Sequence, residues 1–161
     1  MSIKRCKRKL DFQSKENLSA LASRLNKLCN KLQEQFAINW GGCCYTAYCI
    51  AALLEQDQFE YSLIVFDEEF PVCNYDSLND LPEVMDHYAI VIENPDEFIP
   101  VNCDTSDFKG YYTKFKVKAE DLLKYYLENR WNDFYKVDNN YLVKTFIEGV
   151  YYEFIEDLCK E

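Results

Sequence analysis

Histidine, glycine and proline are scarce in this chain of 161 residues, which holds one His, 4 Gly and 4 Pro. So little glycine and proline excludes a collagen-like, low-complexity or loop-dominated protein. Long apolar runs are also missing, since no stretch approaches the roughly 18 residues that a membrane-spanning helix requires. The basic start continues into polar sequence, without the apolar segment of a secretion signal. We therefore expect a soluble, cytoplasmic protein with no membrane association.

Basic residues are fewer than acidic ones. The chain has 18 lysines and arginines against 28 aspartates and glutamates, which gives a formal net charge of −10. An acidic surface repels phosphate backbones, so nucleic acid is not an expected partner. One local exception is a basic run over residues 4–9. We interpret residues 1–14 as a basic tail, and a docking arm for an acidic partner is the alternative.

The eight cysteines contain no C-x-x-C pair. Cys43, Cys44, Cys73, Cys103 and His87 are possible zinc ligands by type, but they lack the paired spacing of a structural zinc site. We therefore predict no metal and no organic cofactor. In a cytoplasmic chain most of these cysteines are expected to be buried and reduced.

Hydrophobic residues make up 48% of the chain, which is enough for the core of one domain spanning residues 1–161. Apolar residues at three- and four-residue steps predict helices over 16–36, 43–55, 119–129 and 141–158. Apolar or alternating runs predict strands over 61–66, 87–92, 98–102 and 111–118. Pro100 indicates an edge strand or a bulge. The order predicts an α+β fold in which a central antiparallel sheet packs against a buried N-terminal helix.

Several polar residues flank these elements in an order that suits cysteine chemistry. The run Gly41-Gly42-Cys43 leads into the buried second helix, where free N–H groups favour a thiolate. His87, the sole histidine, opens a strand and is a candidate base. Asn102 ends the following strand, with Asp104 two residues beyond, and either can orient the imidazole. Asn39 precedes the glycines and is a candidate oxyanion donor.

This order of cysteine, histidine and Asn or Asp resembles that of papain-like cysteine enzymes. The segments Gly-Gly-Cys43-x-x-x-Ala47, His87-Tyr-Ala-Ile-Val-Ile and Phe-Ile-Pro-Val-Asn102 are similar to small bacterial and phage members of the papain-like and transglutaminase-like superfamily. The resemblance covers residues 39–104. It implies a cysteine hydrolase or acyltransferase that forms a thioester on a peptide or protein substrate.

Some assignments stay open at this stage. Cys44 competes with Cys43 as the nucleophile, although Cys43 follows the glycine turn directly. Trp40, Gly42 and Cys44 are candidates for substrate contacts, and core packing is the alternative interpretation of Trp40. The papain-like fold is also compatible with a catalytically inactive accessory factor that binds other proteins. The oligomeric state does not follow from the sequence.

Overall fold

A computed structural model describes residues 14–39, 42–67, 77–81, 87–94, 97–103, 111–129 and 137–160. It confirms the predicted α+β class with an antiparallel sheet. In chain order the elements are α1 (Lys15–Phe36), α2 (Cys43–Gln56), β1 (Tyr61–Asp67), a 3₁₀ turn (Leu78–Asp80), β2 (His87–Asn94), β3 (Glu97–Val101), β4 (Tyr111–Phe115), α3 (Ala119–Asn129) and α4 (Val137–Lys160).

Helix α1 begins and ends at capping residues, Ser14 and Ala37, that lie within its own segment of the sequence. The Ser14 hydroxyl accepts a hydrogen bond from the Asn17 N–H at 3.2 Å, so Ser14 is the N-cap. The apolar stripe of the helix is buried, at Leu18, Leu21, Ala22, Leu25, Cys29 and Leu32. The helix stops where Ala37 adopts a left-handed conformation with φ 52°, and its N–H bonds to the Gln33 carbonyl.

The four strands form one antiparallel sheet in the order β3-β2-β1-β4. Strand β3 therefore lies at an edge of the sheet, as the proline at position 100 predicts, because proline has no N–H to donate to a second neighbour. Pro100 pairs with Val91 of β2. On its outer side, the Pro100 carbonyl accepts a hydrogen bond from the side chain of Asn26 in α1 at 3.1 Å.

The two faces of the sheet belong to different clusters. One face, which includes Leu63, Val65 and Ile90, joins the main core together with residues from all four helices. Helices α1 and α2 pack directly on the sheet, α3 packs on α2, and α4 packs on both α1 and α2. The opposite face carries a small buried cluster made of Ile64, Phe66, Ala89 and Val91. Alternation along each strand accounts for this division.

The carboxylate of Glu55, near the end of α2, connects that helix to the start of β1 and the start of α3. Glu55 accepts hydrogen bonds from the Tyr61 hydroxyl at 2.7 Å and from the Ala119 N–H at 2.9 Å. Tyr61 opens β1 and Ala119 opens α3, so the end of α2 lies beside the start of β1. Along its length, α2 packs mainly on β2, α3 and α4.

Some element bounds differ from those predicted. Helix α4 begins at position 137, four residues before the predicted start, and the side chain of its buried Asn140 donates to the Tyr126 hydroxyl at 3.0 Å. Strand β4 ends at Phe115 instead of position 118. The predicted basic tail lies outside the described residues except for Ser14. Among the described helices, none combines the length and apolarity that crossing a bilayer needs.

Candidate functional site

His87 is the first residue of β2, and its ring is held by a backbone carbonyl. Nε2 lies 2.6 Å from the carbonyl oxygen of Asn102. A carbonyl oxygen only accepts, so Nε2 must carry the proton in this contact. In the neutral ring, Nδ1 is then the basic nitrogen. The predicted pairing of His87 with the end of the neighbouring strand is therefore present, but through the Asn102 backbone and not through its side chain.

Asn102 follows β3 and has an unusual backbone conformation, with φ 65°. Asparagine tolerates this left-handed region better than most residues. The residue is 8% exposed and is bonded on both sides. Its N–H donates to the side-chain oxygen of Asn26 at 2.7 Å, and its side-chain amide donates to Asn39 Oδ1 at 3.0 Å. These bonds determine where the carbonyl that contacts His87 points.

Asn39 lies four residues before Cys43 and is fixed by two contacts. Its Oδ1 accepts from Asn102, and its backbone N–H donates to Gln33 Oε1 at 2.7 Å. With Oδ1 occupied in this way, the Nδ2 donor of Asn39 is the group left to face a ligand. Gln33 and Asn26 were not among the site residues predicted from the sequence. The feature that could have indicated them is their spacing of seven residues, which places both on one face of α1.

Cys43 is the first residue of α2, and Cys44 is the second. Gly42 caps the helix with its backbone alone, and its carbonyl accepts from both the N–H and the hydroxyl of Thr46. The two thiols are 5% and 7% exposed. Burial, and secondarily the neighbouring Cys43, raises the pKa of the Cys44 thiol well above its ordinary value. A thiolate at Cys44 is thus disfavoured, which favours Cys43 of the two candidates.

The helix-start thiols and the imidazole belong to opposite faces of the sheet. The His87 ring packs against Phe66, its cross-strand neighbour, with ring centroids 5.8 Å apart. Phe66 belongs to the small cluster on the outer face, whereas Cys43 and Cys44 belong to the main core. Within the described chain, no hydrogen bond joins Cys43 to His87. The catalytic pairing of the two residues stays a prediction.

Two tyrosines lie beside the thiols and were not identified from the sequence. The hydroxyls of Tyr88 and Tyr125 are 2.6 Å apart. The pKa of Tyr125 is raised, mainly by burial and further by the nearby Cys44 and Cys43 thiols, while the bond to Tyr88 lowers it. Tyr88 follows His87 in β2, so strand alternation turns its side chain to the helix-covered face.

Other candidates take no part in the described site. Trp40 and Asp104 lie outside the described residues, so their predicted roles are untested. Cys29 and Cys49 are buried free thiols, and burial raises the pKa of each to about 12. Cys159 departs from the expectation of reduced cysteines, because it is disulfide-bonded. Across the described residues, no group of three or more His, Cys, Asp or Glu side chains is arranged to hold a metal ion.

Comparison with protein-family models, with curated proteins and with solved structures finds no match to this chain. What the site can do therefore rests on its own groups. These are a thiol at the start of a helix, an imidazole bonded to the Asn102 carbonyl, and the Asn102 side-chain amide bonded to Asn39. A thiol and an imidazole are groups that carry out nucleophilic attack on a carbonyl group when they come within hydrogen-bond reach of each other.

Proposed function

We propose that this protein is a cysteine hydrolase or acyltransferase that acts on an amide, isopeptide or ester bond. The arrangement would be papain-like, with Cys43 as the nucleophile and His87 as the general base and acid. One observation carries the proposal. A chain of hydrogen bonds runs from His87 through Asn102 to Asn39, and it ends on the segment that leads into α2 and Cys43.

The proposed reaction has two steps. His87 Nδ1 takes the proton of the Cys43 thiol, and the sulfur attacks the substrate carbonyl carbon to give a tetrahedral oxyanion. Collapse breaks the bond to the amine or alcohol, which leaves with the proton from His87, and a thioester remains on Cys43. Water then attacks the thioester with His87 again as base, and the acid is released with the thiol restored. An amine in place of water would give acyl transfer.

Each supporting group has a defined task in this scheme. The Asn102 carbonyl would orient the ring and keep the proton on Nε2, so that Nδ1 would be the nitrogen that accepts the thiol proton. The backbone N–H of Cys43 and the side-chain Nδ2 of Asn39 would donate to the oxyanion. Asp104, the alternative orienting residue, is not needed for this assignment.

The scheme requires the imidazole to come within hydrogen-bond reach of Cys43. His87 is the first residue of β2 and lies on the face of Phe66, so the scheme requires a rearrangement at the start of β2 that brings the ring to the face covered by α2. Such a rearrangement would separate the ring from Phe66. Catalytic hydrogen bonds in unliganded enzymes are often loose and tighten only when substrate binds.

Thiol reactivity tests the proposal. The protein is alkylated with iodoacetamide across pH 5–10, about the range that brackets the ordinary thiol pKa, and peptides are mapped to separate the cysteines. We expect Cys43 to react fastest of the cysteines, because an imidazolium beside it would stabilise the thiolate. His87→Ala should slow the alkylation of Cys43, because that imidazolium is gone.

Cys103 is the internal control. Its sulfur is not in a disulfide and the residue is more exposed than Cys43, so a reaction governed by access alone would label it first. A Cys44→Ala variant should behave like the unchanged protein. Preferential labelling of Cys103 over Cys43 at every pH, unaffected by His87→Ala, would contradict a catalytic Cys43.

A binding-only role is the second candidate. It is favoured by the packing of the His87 ring against Phe66 and by the burial of Cys43. The two roles differ in covalent chemistry with 4-nitrophenyl acetate. An enzyme would release 4-nitrophenolate in a burst and carry one acetyl group on Cys43, detectable by mass spectrometry. A binding-only protein would show neither, and Cys43→Ala would change nothing.

A further inference from the structure

A cleft of about 540 Å³ opens on the side of the molecule formed by α3. This volume lies within the range typical of small-molecule and peptide sites. Three segments form its walls: the 3₁₀ turn that contains Leu78, the connection from β4 to α3, and one face of α3. Residues 121, 124, 125 and 128 supply the helical wall, and their spacing places them on a single face.

The lining of the cleft is charged and mixed. On a chain with a net charge of −10, the described lining of this cleft brings together three lysines, Lys116, Lys118 and Lys124, with two carboxylates, Asp121 and Glu128. Lys116 already donates to the Tyr61 carbonyl at 3.0 Å. The side chains of Lys118 and Lys124 make no hydrogen bond or ion pair with the described residues, and both residues are exposed. Two ammonium groups are thus available to a ligand.

The apolar part of the lining leads toward the candidate active site. Leu78 is 9% exposed, and Val117 and Tyr125 are half-buried. Tyr125 lines the cleft, while its hydroxyl bonds to Tyr88 and lies near the Cys43 and Cys44 thiols. Tyr125 therefore separates the cleft from the helix-start cysteines.

We propose that this cleft binds an acidic segment of a peptide substrate, with the substrate carboxylate between Lys118 and Lys124. A peptide suits the mixed lining, because its N–H groups can donate to Asp121 and Glu128 while its apolar side chains cover Leu78 and Val117. The segment would continue past Tyr125 to place its scissile carbonyl at Cys43. The role of the cleft as a substrate site depends on the proposed function. Its ability to bind a peptide depends only on the residues that line it.

Binding to matched peptides tests the inference without turnover. The probes are N-acetyl-Leu-Glu-Ala-amide, its Gln counterpart and its Lys counterpart, titrated by calorimetry into the full-length Cys43→Ala protein. We expect the Glu peptide to bind about fivefold or more tightly than the Gln peptide, because only it presents a charge to the lysines. Added salt should reduce this preference.

Two double variants localise the effect. Lys118→Gln with Lys124→Gln should remove the preference for Glu over Gln. Lys31→Gln with Lys144→Gln is the matched control on α1 and α4, and it should keep that preference. The Glu peptide should also protect Lys118 and Lys124, but not Lys31, from acetylation in a footprinting experiment. Equal affinity for the Glu and Gln peptides, tighter binding of the Lys peptide, or loss of preference in the control would overturn the inference.

The two proposals fail separately in these experiments. Selective binding of the Glu peptide at the two lysines, together with an unreactive Cys43, would support the cleft as a ligand site and overturn its role in supplying substrate. A reactive Cys43 without charge-selective binding would overturn the proposal that the cleft binds an acidic peptide segment, and it would leave the proposed cysteine chemistry unaffected.

Discussion

Substitutions at Asn102 separate the cost of its left-handed backbone from the contribution of its side-chain hydrogen bond to stability. Asn102 combines a left-handed backbone with a side-chain bond to Asn39 and a carbonyl bond to His87. Asn102→Gly keeps the backbone conformation and loses the amide bond, at a cost of about 1 kcal/mol. Asn102→Ala loses the same bond but keeps a Cβ in the left-handed region, which disfavours its folded state relative to that of the glycine variant by roughly 1–2 kcal/mol.

After allowance of ~0.5–1 kcal/mol for the greater freedom of glycine in the unfolded chain, we expect Asn102→Ala to be less stable than Asn102→Gly by about 1 kcal/mol. Urea denaturation measures both free energies of unfolding. Asn39→Ala provides the double-mutant control. Because it removes the same bond, combining it with Asn102→Gly should cost about 1 kcal/mol less than the sum of the two single variants.

The position of the proton on the His87 ring can be read from nitrogen resonances. The assignment is unambiguous, because the chain has one histidine and therefore one set of imidazole resonances. At a pH where the ring is neutral, the unchanged protein and Asn102→Gly should both carry the ring proton on Nε2, because the contact with the backbone carbonyl survives. Equal destabilisation by glycine and alanine would refute the role given to the left-handed backbone. A proton on Nδ1 in the unchanged protein would refute the carbonyl bond to His87.

Three further predictions follow from local contacts. Ala37→Gly should stabilise the protein by about 0.5–1 kcal/mol in urea denaturation, because glycine removes the strain of φ 52° at the end of α1. Glu55→Gln should lower the free energy of unfolding by about 1–2 kcal/mol, because the carboxylate bonds both the Tyr61 hydroxyl and the start of α3; an unchanged urea midpoint would contradict this. Burial raises the pKa of Cys49 to about 12, above an unfolded value of ~8.5. The folded state therefore holds the thiol proton more tightly than the unfolded state, and the stability that this contributes is complete below about pH 8.5. This stability is lost as the pH rises toward 12, at up to ~1.4 kcal/mol per pH unit. Cys49→Val should reduce this slope in denaturation series between neutral pH and about pH 10.5, and an identical slope would argue against burial as the cause.

Much of the secondary structure could be predicted because the signals are local. The leucine stripe of α1 and the cap at Ser14 involve only residues within a few turns of each other. Pro100 indicates an edge strand through its own missing N–H, and β3 does lie at the edge of the sheet. The start of α4 was predicted too late, since the buried position of Asn140 depends on Tyr126 and not on the periodicity of its own segment.

The candidate site was only partly predictable. The sequence indicated His87, Asn102 and Asn39, and the structure links these three by hydrogen bonds. It did not indicate that a backbone carbonyl contacts the imidazole, because that depends on the left-handed turn at Asn102. Tyr125 was missed because it lies on a distant helix and reaches the cysteines only through packing.

Residue order and periodicity alone determined which segments are helices and strands, and which polar residues stand at their ends. These properties arise from interactions between residues close in the chain. The tertiary structure alone decided the face of the sheet on which His87 lies, the partners of Asn102 and the meeting of Lys118 and Lys124 at one cleft. Those relations depend on strand order and helix packing, which join residues far apart in sequence.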